Sequence, residues 1–332
     1  MLKILTLVAT LCPAMLLAQD VPKKKLPLCN PMILGSIPKK ALSLQYEYQS
    51  KFDNDSKDNI GFPGGSSNIT TNSVGNFRIG FNKNVRVKPN GYISVDVGYA
   101  TTSFNNVTSN GANFNPMPDI FNDVLFHSVN ASTTIFKPLN DKHFFLTNVG
   151  LEVNGNTESL KNVGARNLFA SALLMYGTKK SYNEMWAFGI SRSYKLGRVI
   201  HVPAILWNKN FNKKWGMEML LPSKLIFRYA PNKKTIYNGG IELEGNQYAI
   251  SNNLMPVNNS FFQRGEIRPK LGLETNLTKN MRFMANAGVR INGRFDIADN
   301  YDGKTLLVEN APRTNAFVNI GIGWISLKTK KK

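Results

Sequence analysis

The chain has 332 residues, 42% of them hydrophobic, and a formal net charge of +20. Beyond residue 18 no segment approaches the roughly 18 consecutive apolar residues that a spanning helix needs, so a helical membrane protein is excluded. Much of the basic excess sits in short turns (Lys83 and Lys88, Lys137 and Lys142, Lys179 and Lys180, Lys213 and Lys214, Lys233 and Lys234) without an interleaved aromatic platform, which excludes nucleic acid as the partner.

At the start, Lys3 precedes the apolar run Ile4 to Leu11, and a second run, Met15 to Ala18, ends before Gln19 and Asp20. Residues 1–18 therefore read as a secretory signal peptide cleaved near Ala18, with Leu16 as an imperfect cleavage residue. Cys12 follows Leu11 rather than a small residue, so no lipoprotein site is read there. Removal of the signal leaves Cys29 alone, and no disulfide can form within the chain. Residues 19–40, with Lys23 to Lys25 and Lys39 to Lys40, are basic, punctuated by proline and without periodicity. They read as a periplasmic lead-in, either a solvated tail or a contact for anionic lipid headgroups or the cell wall.

From Ala41 onward apolar and polar residues alternate with a period of two, which places them on opposite faces of strands. Leu42, Leu44, Tyr46 and Tyr48 oppose Ser43, Gln45, Glu47 and Gln49, and Phe77, Ile79 and Phe81 oppose Asn76, Arg78 and Gly80. Ile93 to Tyr99, Val129 to Ile135 and Thr147 to Val153 repeat the pattern. Weaker strands fall at 167–177, 185–193, 199–207, 215–221 and 225–230, and stronger ones return at 235–250 and 313–328. The clearest stretch is the hairpin 264–292, where Ile267, Leu271 and Leu273, then Phe283, Ala285, Ala287, Val289 and Ile291, face away from Arg264, Glu266, Arg268, Lys270, Glu274 and Arg290. The strand candidates number about fourteen; the doubtful break at Leu221-Pro222-Ser223-Lys224 leaves twelve as second choice.

Connections alternate in kind. Short turns such as Lys88 to Gly91, Pro138 to Lys142, Lys179 to Asn183, Asn208 to Lys214, Pro231 to Lys234 and Thr278 to Asn280 fall at every second junction. The others include the long polar stretches Asn54 to Thr71, Asn105 to Phe121, Asn156 to Ala165 and Gly293 to Pro312. Continuous apolar faces, charged opposite faces and segregated loops predict an all-β, transmembrane, antiparallel up-and-down β-barrel over residues 41–328, followed by a basic tail at 329–332. The expected location is the outer membrane of a Gram-negative bacterium, with both chain ends periplasmic.

The runs Trp186-Ala-Phe-Gly-Ile-Ser-Arg192, Gly197 to Pro203, Trp215 to Pro222, Gly265 to Arg268 and Ala287 to Arg290 resemble an uncharacterised family of Gram-negative outer-membrane β-barrel proteins known as a domain of unknown function. The resemblance covers most of the chain after Ala41 and carries no catalytic residues to transfer. It implies outer-membrane lipid and the barrel-assembly machinery as partners, and a chain ending on an aromatic residue. This chain departs from that ending: Trp324 is followed by Ile325-Ser326-Leu327 and the basic tail.

The three histidines, His127, His143 and His201, lie on separate elements, and Gly189-Ile-Ser191-Arg-Ser193 lacks the closing glycine of a nucleophile elbow, so no enzyme is expected. Asp53, Asp55 and Asp58, and Asp296, Asp299 and Asp302, miss calcium-loop spacing and read as solvated loop acids, so neither metal nor cofactor is expected. Parity assigns Arg78, Asp96, Glu152, Arg228, Glu242, Glu244, Arg264, Glu266, Arg268 and Arg290 to the lumen. Two readings stand: a network of mutual pairs that plugs the interior, or a charged wall around a water-filled pore. The expected function is a channel or transporter for a small solute, with a non-conducting structural or surface-interaction barrel as the alternative and a lipid-modifying enzyme third.

Overall fold

The computed structural model describes Cys29, Ile33 and residues 36–59, 66–87, 91–110, 115–251 and 260–325. The expected signal peptide at 1–18, Lys23 to Lys25, the turn at Lys88 to Asn90 and the basic tail lie outside the described residues.

The strands are β1 (Leu42–Gln49), β2 (Phe52–Asp58), β3 (Ser66–Val87), β4 (Gly91–Asn110), β5 (Leu125–Pro138), β6 (His143–Asn156), β7 (Leu168–Ser181) and β8 (Glu184–Ser193). They continue with β9 (Ile200–Asn210), β10 (Trp215–Leu221), β11 (Lys224–Tyr229), β12 (Thr235–Ile250), β13 (Ser260–Asn276), β14 (Met281–Ala298), β15 (Leu306–Pro312) and β16 (Asn315–Trp324). One short helix, α1 (Met117–Phe121), follows β4.

Successive strands pair antiparallel, and β1 closes the ring on β16 with Leu42 opposite Trp324 and Gln49 opposite Phe317. β1 and β2 both lie along β3 and are one strand interrupted at Ser50-Lys51; β15 and β16 likewise share β14. The wall is therefore fourteen strands round, and the Leu221-Pro222-Ser223-Lys224 break is a true turn between paired strands.

Outward side chains are apolar and bare around the whole circumference, with Ile190 69% and Leu271 74% exposed. A girdle of that extent suits lipid and not water. Phe145, Tyr176, Trp207, Trp215 and Tyr237 mark its edge at the short-turn end, where the Trp215 and Tyr229 rings pack 4.7 Å apart. Three short turns share one device: Asn140 Oδ1 accepts the amides of Lys142 and His143, Asn212 Oδ1 those of Lys214 and Trp215, and Asn232 Oδ1 those of Lys234 and Thr235. Each satisfies turn amides that have no ladder partner.

Three of the four polar stretches expected as loops differ from expectation. Residues 52–58, 66–71, 105–110, 293–298 and 306–312 are strand, and Asp53 and Asp55 sit on β2, accepting hydrogen bonds from Thr70 and Asn68. The wall thus rises above the lipid belt, and there the faces change phase. Gln49 and Phe52 are both buried across the β1–β2 interruption, and Phe104 and Val107 across Asn106, whose φ is +50°. Arg290 and Phe295 are both buried across the irregularity between β13 and β14 at Gly265/Glu266. A reading by strict period two stops at such breaks.

The raised section is narrower. β12 leaves β11 where the Leu243 amide bonds Ser223 O at 2.8 Å, and leans over to meet β6, with Ala249 opposite Gly155 in parallel. Outside that contact, residues 194–199 fold onto the wall, with Leu196 bridging Gly265 and Gly197 at a φ of +78°. A Cβ on Gly265 would come within 2.6 Å of the Leu196 backbone. Gly265→Ala is expected to lift this strap, costing about 1–3 kcal/mol, and limited trypsin digestion should then cut at Lys195 and Arg198 faster than in the parent.

A closed lumen in three layers

Inside the short-turn end lies part of the lead-in. Cys29 and Ile33 are buried against Phe136, Phe144, Met175 and Met185, and Cys29 Sγ donates to His143 O at 3.6 Å. Burial pushes the Cys29 thiol up from its ordinary value. Lys40 Nζ meets Glu274 Oε1 at 2.6 Å, the Ile37 amide donates to Glu218 Oε1 at 2.9 Å, and Lys39 Nζ donates to Ser94 Oγ at 3.1 Å. The described part of the lead-in is therefore held within the wall, by side chains of β4, β10 and β13. Between it and β11–β13 is a cavity of about 740 Å³, bordered by Lys224, Glu242, Lys270 and Glu274.

Above the cavity is the charged layer. Arg268 Nη2 meets Glu47 Oε2 at 2.6 Å while Nη1 meets Glu244; Arg78 also pairs with Glu244 and lies 3.9 Å from Glu47. Arg264 pairs with Glu266. Arg290, 0% exposed, donates from Nη1 to Gln49 Oε1 at 2.9 Å and lies 3.5 Å from Glu266. Two guanidinium groups also stack on rings, Arg290 4.1 Å from the Phe52 centroid and Arg268 3.9 Å from that of Phe317. Such stacking suits arginine, whose planar group is weakly hydrated.

The parity set thus divides. Arg78, Glu244, Arg264, Glu266, Arg268 and Arg290 come together. Glu242 instead meets Lys270 at 2.7 Å, and Arg228 meets Glu218 at 3.7 Å and Asn210. Asp96 accepts from Asn82 at 2.5 Å and lies 3.9 Å from Lys39. Glu152 stands apart on β6, accepting from Asn154 at 3.3 Å. Glu47, Glu218, Lys270 and Glu274 belong to the same faces and were legible by the same parity; Lys40 was not, because its pairing needs the lead-in inside.

The third layer closes the long-loop end with apolar side chains. α1 sends Met117, Ile120 and Phe121 into the mouth. There the rings of Phe104 and Phe121 are 4.7 Å apart, Phe121 and Phe262 4.8 Å, and Phe262 and Phe295 5.0 Å. Asn122 tethers the helix, its side chain accepting the Val107 amide and donating to Val107 O, both at 2.8 Å. Residues 115–121, expected in an outer loop, are turned inward by this core.

The histidines remain separate. His127 Nδ1 and Nε2 meet Tyr99 and Thr157, His143 meets Tyr176 and Thr178, and His201 meets Arg192.

These features define a transmembrane β-barrel whose lumen is filled from both ends. The chain belongs to the family described as Domain of unknown function (DUF6268), which matches residues 35–325. No curated protein matches the sequence. Among solved structures it is similar to the COG4313 outer membrane channel from Pseudomonas putida F1, at 12% identity and a TM-score of 0.41 over 92% of this chain and 100% of that one. It is also similar to the KdgM porin in complex with disordered oligogalacturonate (8% identity, TM-score 0.35, 86% and 99% covered) and to a Pseudomonas aeruginosa FadL homologue (8%, 0.31, 86% and 90%). The fold rests on the chain's own strand pairing.

In a chain starting at Gln19, Cys29 is expected to resist maleimide in the folded barrel and to react fully once it is unfolded, as mass spectrometry would register. Glu266→Ala leaves Arg264 and Arg290 without their shared carboxylate, and is expected to cost about 3–5 kcal/mol in the urea midpoint of the lipid-inserted protein.

Proposed function

We propose that the protein is an outer-membrane conduit for small solutes, shut at both ends in the conformation described. The observation that carries this reading is the cavity of about 740 Å³ inside the wall. Its volume is in the range of small-molecule sites, and its lining mixes lysines and glutamates with Tyr92, Phe136 and Leu146. The lead-in segment Ser36 to Lys40 forms its border and is held chiefly by single contacts to Glu274, Glu218 and Ser94, so it can act as a gate at the periplasmic end. The orientation follows the barrel rule that short turns are periplasmic. No enzymatic role is assigned: His127 and His143 are engaged by tyrosine and threonine hydroxyls, an arrangement that supports packing more than proton transfer.

A second reading is favoured by the apolar third layer. A core of buried phenylalanines at the outer mouth suits a non-conducting barrel that acts through its outer surface.

Planar-bilayer recording separates the two. The refolded mature chain is expected to give brief, infrequent openings, and a variant lacking residues 19–40 to open for several-fold longer. A heat-modifiable, fully inserted barrel that stays silent in both forms would leave the surface-interaction reading.

A further inference from the structure

The barrel wall is uneven. β3 and β4 have 22 and 20 residues, whereas β10 has 7 and β11 has 6. A spanning strand needs about 9–11 residues. At a rise of about 3.4 Å and a tilt of about 40°, seven residues climb only about 18 Å of an apolar belt about 25 Å tall. Trp215 and Tyr229 anchor the lower ends of this hairpin at the periplasmic interface. Its turn, Pro222-Ser223, therefore lies below the outer edge of the hydrocarbon layer.

Among the described residues no strand pairs above that turn, and the 194–199 strap crosses just over it, with Lys195 against Gly245 two residues past Leu243. β12 leaves β11 at Leu243 and leans away toward β6, and the 194–199 strap is clamped higher, on Gly265. Behind the turn is a cavity of about 150 Å³ lined by Leu173, Ala204, Leu220 and Leu243, with Arg192 and Lys195 at its mouth. Arg192 is occupied by Ala170 O and the Tyr194 hydroxyl. Lys195 is exposed; it stands within electrostatic reach of Glu152 and Glu244 without, among the described residues, an ion pair within 4.0 Å to either.

The small cavity lies one level above the large one. On β10, Leu220 lines the first and Glu218, the next inward residue, lines the second; on β6, Asn148 and Leu146 divide in the same way. They are consecutive levels of one lumen.

We infer that the lowered β10–β11 rim is a side portal through which a single-chain amphiphile with an anionic head passes between the outer leaflet and the luminal cavity. The inference rests on the conduit reading and names its substrate class and route. The chain lies against Leu173, Ala204, Leu220 and Leu243, and the head meets Lys195. The neck is too small for a two-chain lipid, and the route bypasses the phenylalanine core that shuts the axial path.

The test uses the full mature chain in non-ionic micelles and dodecanoate carrying a terminal photoreactive diazirine, with labelled residues located by mass spectrometry. Saturable labelling within 204–220 and at Leu243, competed by dodecanoate more strongly than by dodecanol, is expected. Lys195→Ala, an exposed loop change that leaves the fold intact, should weaken it about tenfold, the loss of one charge-assisted contact. Ala204→Trp, which fills the neck, should abolish it. Labelling spread over lipid-facing residues such as Ile190 and Leu271, and unchanged by Lys195→Ala, would overturn the portal. Channel openings in the bilayer without site labelling would overturn the portal alone, whereas site labelling in a silent barrel would keep the site and discard the conduit.

Discussion

The structure depends on the closure of β1 onto β16. In lipid an unpaired backbone amide or carbonyl costs several kcal/mol, so a sheet can cross only if it has no edge. Ring closure meets that constraint, and the rest follows from it. Once the first and last strands pair, Glu47 of β1 stands across from Arg268 of β13, and Lys40 just before β1 reaches Glu274. The lead-in has a place inside because the ring creates one.

A ring of this girth leaves a lumen that must be filled with water or with protein. The charged layer solves this with alternation. Arg78, Arg264, Arg268 and Arg290 are interleaved with Glu47, Glu244 and Glu266, and Arg290 and Arg268 also lie on Phe52 and Phe317. Buried charges of one sign would be costly, and each carboxylate here serves at least two guanidinium groups. Above, the phenylalanine core fills the narrower raised section by burial alone. The layers therefore differ in rigidity. The core and charged lattice are extensively shared between strands, while the lead-in is held by a few contacts beside the cavity of about 740 Å³.

The wall's uneven height has the same origin. Strands that carry the raised section run on past the membrane because Phe104, Phe262, Phe295 and their neighbours form a second core there. β10 and β11 contribute nothing to that core and stop short. The low rim is thus a consequence of how the outer section closes, with β12 meeting β6 and excluding the strands between them.

Within the lipid belt the sequence alone determined face assignment and the end bearing short turns and narrowed the strand number to fourteen or twelve, because lipid on one side and a polar lumen on the other impose a strict period of two. Leu271 against Lys270, or Ile291 against Arg290, is readable without coordinates. Above the belt both sides of the wall change character, and the phase slips at Ser50-Lys51, Asn106 and Gly265/Glu266 hide the strands that continue there. Parity could name the inward charges but not sort them. Arg268 and Glu47 are separated by most of the chain, and Glu152 and Asp96 look the same in sequence as Glu244 and Glu266. Which of them meet depends on register and curvature around the closed ring. Whether the lumen is open or filled depends on where α1 and the lead-in fold. Those are long-range contacts with no local periodicity, so only the tertiary structure decided them.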